Sequence, residues 1–122
     1  MMMNKLKVAT IALLLVCALP AHSETASMVG KIVRTLNSNS DSWGGCMIRL
    51  DKAVREETGL DCSSSWVSFS CSGVKSPKDQ ANKMFDAAQM AMALNYRVQV
   101  FIDDQQEESG YCLATRLDVI AK

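Results

Sequence analysis

Histidine is the residue whose scarcity says most about this chain. The single histidine, His22, belongs to an N-terminal segment with the features of a cleavable signal peptide. Removal of that segment would leave no histidine, which excludes a Ser–His or Cys–His nucleophile pair and a histidine-ligated zinc ion. We therefore predict a protein that is not an enzyme, with no catalytic residues, no metal ion and no other cofactor.

An excess of basic residues is also lacking. The chain has 13 lysine and arginine residues against 13 aspartate and glutamate residues, and residues 1–23 hold Lys5 and Lys7 but no acid. The rest of the chain therefore has a net charge of −2 and no strongly basic segment, so we expect no nucleic-acid partner. Beyond the N-terminal segment no run approaches the roughly 20 apolar residues of a membrane span, so none is predicted.

A secretory signal peptide is predicted for Met1–Ser23. Two lysines form its positive region, and residues 8–19 are apolar apart from one threonine. The alternative is a lipoprotein modified at Cys17, but the residues before Cys17 make a poor lipobox. We expect residues 24–122 to form one domain that is periplasmic or secreted.

Four cysteines remain after the predicted cleavage: Cys46, Cys62, Cys71 and Cys112. An even number of cysteines in a small exported domain indicates two disulfides. A zinc site made of four thiolates is the alternative, but the close C-x2-C pairs of such sites are absent.

One long helix is predicted for residues 77–94, which contain no glycine and no β-branched residue. Ser76 is the expected N-cap, and Asn95 is suited to the left-handed conformation that ends a helix. At about 100° per residue one stripe faces the core: Ala81, Met84, Phe85, Ala88, Ala91 and Met92. Met90 and Leu94 lie on the far side, where they are either isolated exposed residues or contacts to another subunit.

Apolar and polar residues alternate in five segments, which we predict as strands: Met28–Leu36, Cys46–Asp51, Trp66–Cys71, Tyr96–Asp103 and Tyr111–Ile120. Gly30 marks a candidate bulge. In the third strand Ser68 and Ser70 are expected to face away from the core, and Val54–Glu57 is predicted to form a turn of helix. The protein is thus mainly β with one long helix between strands three and four. This order fits a five-stranded OB-like barrel, and an open antiparallel sheet is the alternative.

The barrel arrangement predicts the disulfide pairing. In a hairpin of strands two and three, Cys46 lies opposite Cys71. Strands three and five run parallel in an OB barrel, so Cys62 lies near Cys112. The expected bridges are therefore Cys46–Cys71 and Cys62–Cys112.

Three aromatic residues are candidate ligand contacts. Trp43 and Trp66 flank glycine- and serine-rich turns, where tryptophan often stacks on a sugar, and Tyr111 is a weaker candidate of the same kind. Their alternative role is packing in the core.

Four acidic residues lie in or directly before the segment DQQEES, residues 104–109: Asp103, Asp104, Glu107 and Glu108. Carboxylate oxygens are calcium ligands, but the spacing of a calcium loop is missing. We predict a solvent-exposed hairpin turn over residues 104–109.

The order of elements resembles the B subunits of AB-type bacterial toxins, nearest to the subtilase-cytotoxin and pertussis-like branch. The similarity is one of topology, and it is clearest in KMFDAAQMAMALNYRVQVFID and GYCLATRLDVI. The resemblance implies a ring pentamer, with helices lining a pore, that binds cell-surface glycans. We accordingly predict a non-enzymatic exported binding module for glycan or protein, with a periplasmic inhibitor or accessory protein as the alternative.

Overall fold

Five strands close into a barrel in the computed structural model, which describes residues 25–122. The strands are β1 (Thr25–Asn37), β2 (Cys46–Leu50), β3 (Trp66–Ser68), β4 (Arg97–Glu108) and β5 (Tyr111–Ile120). Their order around the barrel is β1-β2-β3-β5-β4, and only β3 and β5 pair in parallel. The OB-like barrel is confirmed and the open sheet was the wrong alternative. The predicted signal peptide, Met1–Ser23, lies outside the described residues.

The predicted long helix, α2, spans Lys78–Ala93 between β3 and β4. The buried residues of α2 are alanines apart from Phe85. The Phe85 ring meets that of Phe69 edge-on, with ring centroids 6.3 Å apart. In its last turn the barrel covers Ala91 but leaves Met92 36% exposed, so Met92 was wrongly placed in the core stripe.

The two ends of α2 differ in how well the sequence predicted them. Pro77, with extended backbone, occupies the N-cap position and no side chain caps the helix, so the prediction of Ser76 as N-cap was wrong. At the other end Asn95 has a φ of 57°, as expected for the residue that ends the helix. Among residues 25–122, neither α2 nor the short helix α1 (Val54–Thr58) is long and apolar enough to cross a membrane.

The barrel interior is filled by side chains that alternate along the strands. Val98, Val100 and Ile102 of β4 are fully buried, as the alternation predicted. The other large buried core residues include Ile48, Leu50, Val67, Phe69 and Val54.

Both predicted disulfides are confirmed. Cys46 pairs with Cys71 and Cys62 with Cys112, with Cα–Cα distances of 5.6 and 5.7 Å. This pairing replaces the four-thiolate zinc alternative, because disulfide sulfurs are not free to bind metal. Disulfides persist in oxidising compartments, and each contributes roughly 2–4 kcal/mol to a small domain.

The β4–β5 hairpin differs from its prediction. β4 continues to Glu108, and the turn is only Ser109 and Gly110, with φ values of 52° and 87°. Two positive φ values define the tight turn that suits the twist of a hairpin. The loop predicted over residues 104–109 is therefore mostly strand, with an irregular register between Asp103 and Glu107.

The bulge in β1 also lies elsewhere than predicted. Gly30 pairs regularly with Val98, and the register with β2 shifts between Ile32 and Arg34. A different contact favours glycine at position 30, because a Cβ there would lie 2.7 Å from Oδ1 of Asp51.

Candidate functional site

A small cleft on the outer surface of the barrel brings together all three aromatic residues predicted as ligand contacts. It has a volume of about 180 Å³. Its lining consists of Leu36, Trp43, Met47, Trp66 and Tyr111. Each residue comes from a different part of the chain, namely the end of β1, the β1–β2 connection, β2, β3 and β5. The fold therefore assembles one aromatic site from residues that are up to 75 positions apart between Leu36 and Tyr111.

The floor of the cleft follows from the strand register. Leu36 pairs with Met47, which pairs in turn with Ser68. Directly paired residues point to the same face of a sheet, and here that face is the outside of the barrel. In OB folds the β2–β3 face and the β1–β2 and β4–β5 connections bind ligands. The cleft occupies this position.

Trp43 is held by its backbone in a turn over residues Ser42–Gly45. Its φ of 57° is left-handed, which costs a non-glycine residue roughly 1–2 kcal/mol. Two hydrogen bonds fix it there: the backbone N–H donates to Oγ of Ser109 at 3.1 Å, and the carbonyl accepts from Oγ of Ser68 at 2.7 Å. The turn is thereby tied to both β3 and the β4–β5 hairpin, while the Trp43 side chain stays 39% exposed.

Gly44 allows this turn to lie flat on the barrel. It has a φ of 74°, and a Cβ would lie 2.7 Å from Oγ of Ser68 and 2.8 Å from Cα of Ser70. Its carbonyl accepts a hydrogen bond from the N–H of Ser72 at 2.9 Å. Only glycine meets both the conformation and the space at this position.

Two serines predicted to face away from the core, Ser68 at the end of β3 and Ser70 just after it, are buried and not exposed to solvent. Ser68 and Ser70 are fully buried beneath the Trp43 turn and the β4–β5 hairpin. Oγ of Ser70 donates to Oε1 of Glu108 at 2.5 Å and accepts from the N–H of Lys75 at 2.9 Å. Hydrogen bonding of this kind offsets the cost of burying polar groups.

The prediction that the four acidic residues are exposed to solvent is also only partly correct. Glu108 and Asp103 are each 7% exposed, whereas Glu107 is exposed and Asp104 is half-buried. Glu108 leaves the solvent because β4 continues to this residue and its carboxylate accepts a hydrogen bond from the buried Oγ of Ser70. Within residues 25–122 no group of three His, Cys, Asp or Glu side chains is placed to hold a metal ion.

Two arginines stand beside the aromatic cleft. Arg34 pairs with Arg49 across β1 and β2, and Arg49 pairs with Trp66 across β2 and β3. The guanidinium carbon of Arg34 lies 5.9 Å from the centre of the Trp66 ring, within the range of a cation–π contact. The cleft is therefore aromatic and apolar in its floor and walls, with positive charge at one edge.

A second, polar cavity of about 280 Å³ lies between the β1–β2 connection and the start of α2. Its lining includes residues 37–41 together with Ser72, Lys78 and Asn82. None of the three predicted aromatic contacts lines it. Asn82 donates from Nδ2 to the carbonyl of Lys78 at 2.8 Å, whereas the buried Oγ of Ser72 has no hydrogen-bond partner among residues 25–122.

The predicted subunit contacts lie apart from the cleft. Met90 on α2 and Leu94, the C-cap residue directly after it, are 49% and 50% exposed, as their predicted position on the far side of the helix implied. Their contact role remains a prediction.

Sequence reasoning missed Leu36 and Met47. Met47 is 2% exposed although its phase in β2 points it out of the barrel. The available signal was an apolar residue at an outward position of a strand, which is a weak signal because single apolar residues are common on protein surfaces.

Comparison of the chain with protein-family models, with curated proteins and with solved structures found no match.

Proposed function

We propose that this protein is an exported, non-catalytic binding module that takes a carbohydrate in the cleft formed by Trp43, Trp66 and Tyr111. The observation that carries the proposal is the convergence of these three residues in one cleft on the β2–β3 face. Aromatic faces pack against the C–H faces of a sugar ring, and their polar tips supply hydrogen bonds at the wet edge.

The dimensions of the cleft support a small ligand. Its volume of about 180 Å³ is below the roughly 300–1,000 Å³ typical of pockets for drug-sized ligands. It suits a single ring at the end of a longer chain rather than a complete nucleotide cofactor. A chain end that projects from a cell surface is the form in which a glycan would meet such a cleft.

The groups around the cleft support binding without catalysis. One of the two buried carboxylates among residues 25–122, Glu108, accepts a hydrogen bond from Oγ of Ser70. A general acid or base has to reach the proton that it transfers, and Glu108 is 7% exposed and does not line the cleft.

Export is supported by the two disulfides, because such bridges are rare in reducing compartments. The proposed route is the signal peptide predicted for Met1–Ser23. An inhibitor that docks on a strand edge is less well supported, because every strand of the closed barrel has two hydrogen-bonded neighbours.

The exposed side of α2 is the proposed contact between copies of the protein. Met90 and Leu94 each leave about half of their surface in solvent, and burial of both would favour association. Size-exclusion chromatography with light scattering should detect an oligomer that Leu94→Glu converts to monomer. A wild-type monomer at all concentrations would refute this contact but not the cleft.

A glycan array probed with the oxidised protein tests the proposed function. Both tryptophans of the chain line the cleft, so tryptophan fluorescence reports directly on its occupancy by each glycan that the array identifies. We expect Trp43→Ala and Trp66→Ala each to weaken binding roughly tenfold or more, equivalent to about 1.4 kcal/mol.

Val74→Ala is the matched control, because Val74 is 65% exposed and lies outside the cleft. It should bind as the wild type does. The proposal fails if no glycan binds, or if binding survives the loss of both tryptophans. Tighter binding of a single-stranded oligonucleotide in the same assay would place the protein among nucleic-acid-binding OB folds instead.

A further inference from the structure

The two arginines beside the cleft have no carboxylate partner in the described part of the chain. The two ion pairs among residues 25–122 are Arg55–Asp61 and Arg116–Asp118. Arg34 and Arg49 are both exposed and take part in neither. They therefore place two positive charges at one edge of the cleft.

Their placement has an energetic cost. Arg34 and Arg49 are directly paired on antiparallel strands, and like charges in that relation are destabilising. The contact of Arg34 with the Trp66 ring at 5.9 Å offsets part of this cost. An anion bound by both guanidiniums would offset the repulsion between them.

The backbone positions of the two arginines are set relative to the floor of the cleft by the strands. Arg34 and Leu36 are two residues apart on β1, and Arg49 and Met47 are two residues apart on β2. Two residues of a strand span about 7 Å. A sugar ring over Met47 could therefore carry a substituent that reaches both guanidiniums.

We propose that the ligand carries a tetrahedral oxyanion, a sulfate or phosphate ester on a sugar, and that Arg34 and Arg49 bind it. This inference rests on the proposed function, whose ligand class it narrows. A bidentate guanidinium presents two N–H groups to an oxyanion. Two adjacent guanidiniums therefore present four, which crowd onto the two oxygens of a carboxylate but are shared over the three outward oxygens of a tetrahedral ester.

Four sugars that differ at one position test the proposal: galactose, galactose 6-sulfate, galactose 6-phosphate and galacturonic acid. Tryptophan fluorescence at low ionic strength gives the dissociation constant of each. The sulfate or phosphate ester should bind at least tenfold more tightly than galactose, and more tightly than the uronic acid. The two ester arms then decide which oxyanion is preferred.

Arginine variants separate the oxyanion contact from the sugar contact. Arg34→Gln and Arg49→Gln should each bring the ratio of ester affinity to galactose affinity, measured in the same variant, down to about one. Arg116→Gln is the matched control, because Arg116 also lies over an aromatic ring, that of Phe101 at 4.6 Å, on the barrel exterior. It should retain the full preference.

Inorganic sulfate alone separates failure of this inference from failure of the proposed function. It should shift the side-chain N–H signals of Arg34 and Arg49 in NMR spectra. Equal binding of all four sugars, or tightest binding of the uronic acid, would overturn the oxyanion inference and leave the carbohydrate cleft in place. Sulfate shifts with no sugar binding would support the oxyanion site and refute the carbohydrate function.

Discussion

Val67 and Ser68 lie on opposite sides of β3 and are both fully buried, but they are covered by different kinds of contact. On the inner side Val67 packs among apolar side chains of the barrel core. On the outer side Ser68 is covered by the Trp43 turn through hydrogen bonds. The inner layer defines the barrel, whereas the outer layer positions the cleft. Changes in the core should therefore lower stability, and changes in the outer layer should weaken the ligand site.

The largest loss of stability is expected from Phe69→Ala. Phe69 is fully buried and meets Phe85 edge-on, and truncation of such a ring costs about 3–5 kcal/mol. Phe101→Ala is the control on the barrel exterior, with an expected loss of about 1 kcal/mol from its contact with Arg116. Urea unfolding gives both free energies. Equal losses would contradict the distinction between the two sides of the barrel.

Removal of either disulfide should cost nearly as much. The bridges Cys46–Cys71 and Cys62–Cys112 span 25 and 50 residues, for which loop entropy gives about 3.5 and 4 kcal/mol. We expect the two double alanine variants to unfold at lower denaturant concentration, with the Cys62–Cys112 variant the less stable. A loss below about 1 kcal/mol for either would mean that the bridge constrains the unfolded chain much less than this entropy predicts.

Gly44→Ala should show how tightly the outer layer is packed. Gly44 and Gly59 have similar φ values, 74° and 76°, but only Gly44 has atoms within 3 Å of an added Cβ. Gly59→Ala should therefore cost about 1 kcal/mol for the left-handed backbone alone. Gly44→Ala should cost about 1–3 kcal/mol more, as overpacking does, and should reduce sugar binding. Identical unfolding curves for the two variants would show that the turn can move away from the barrel.

Glu108→Gln should have the smallest effect on stability of the four. It replaces the charged acceptor of the Ser70 hydroxyl with an amide, which should cost about 1–2 kcal/mol. Glu107→Gln on the same strand is the control, because Glu107 is exposed and should change stability by less than about 0.5 kcal/mol. Chemical denaturation separates the two. An equal effect would mean that the buried hydrogen bond contributes nothing.

The inner layer could be read from the sequence because it depends on periodicity. Alternation at Val98, Val100 and Ile102 and the closure of the barrel together predicted the strands and both disulfide pairs. These features need only the hydrophobic pattern and the order of the elements.

The outer layer could not be read in the same way, because it depends on contacts between distant parts of the chain. Ser68 and Glu108 looked solvent-exposed, since nothing near them in the sequence indicates that the Trp43 turn and the β4–β5 hairpin fold over β3. Trp43, Trp66 and Tyr111 were identified by residue type, and their convergence required the strand register. Leu36 and Met47 were overlooked because apolar residues at outward positions of a strand are common.

The most direct test of the cleft uses the indole N–H signals of the two tryptophans in NMR spectra. During titration with a glycan that the protein binds, both signals should shift along one saturation curve, with the dissociation constant obtained for the whole protein. A glycan that binds the wild-type protein and leaves both indole signals unmoved would contradict the assignment of the outer face of β2 and β3 as the binding site.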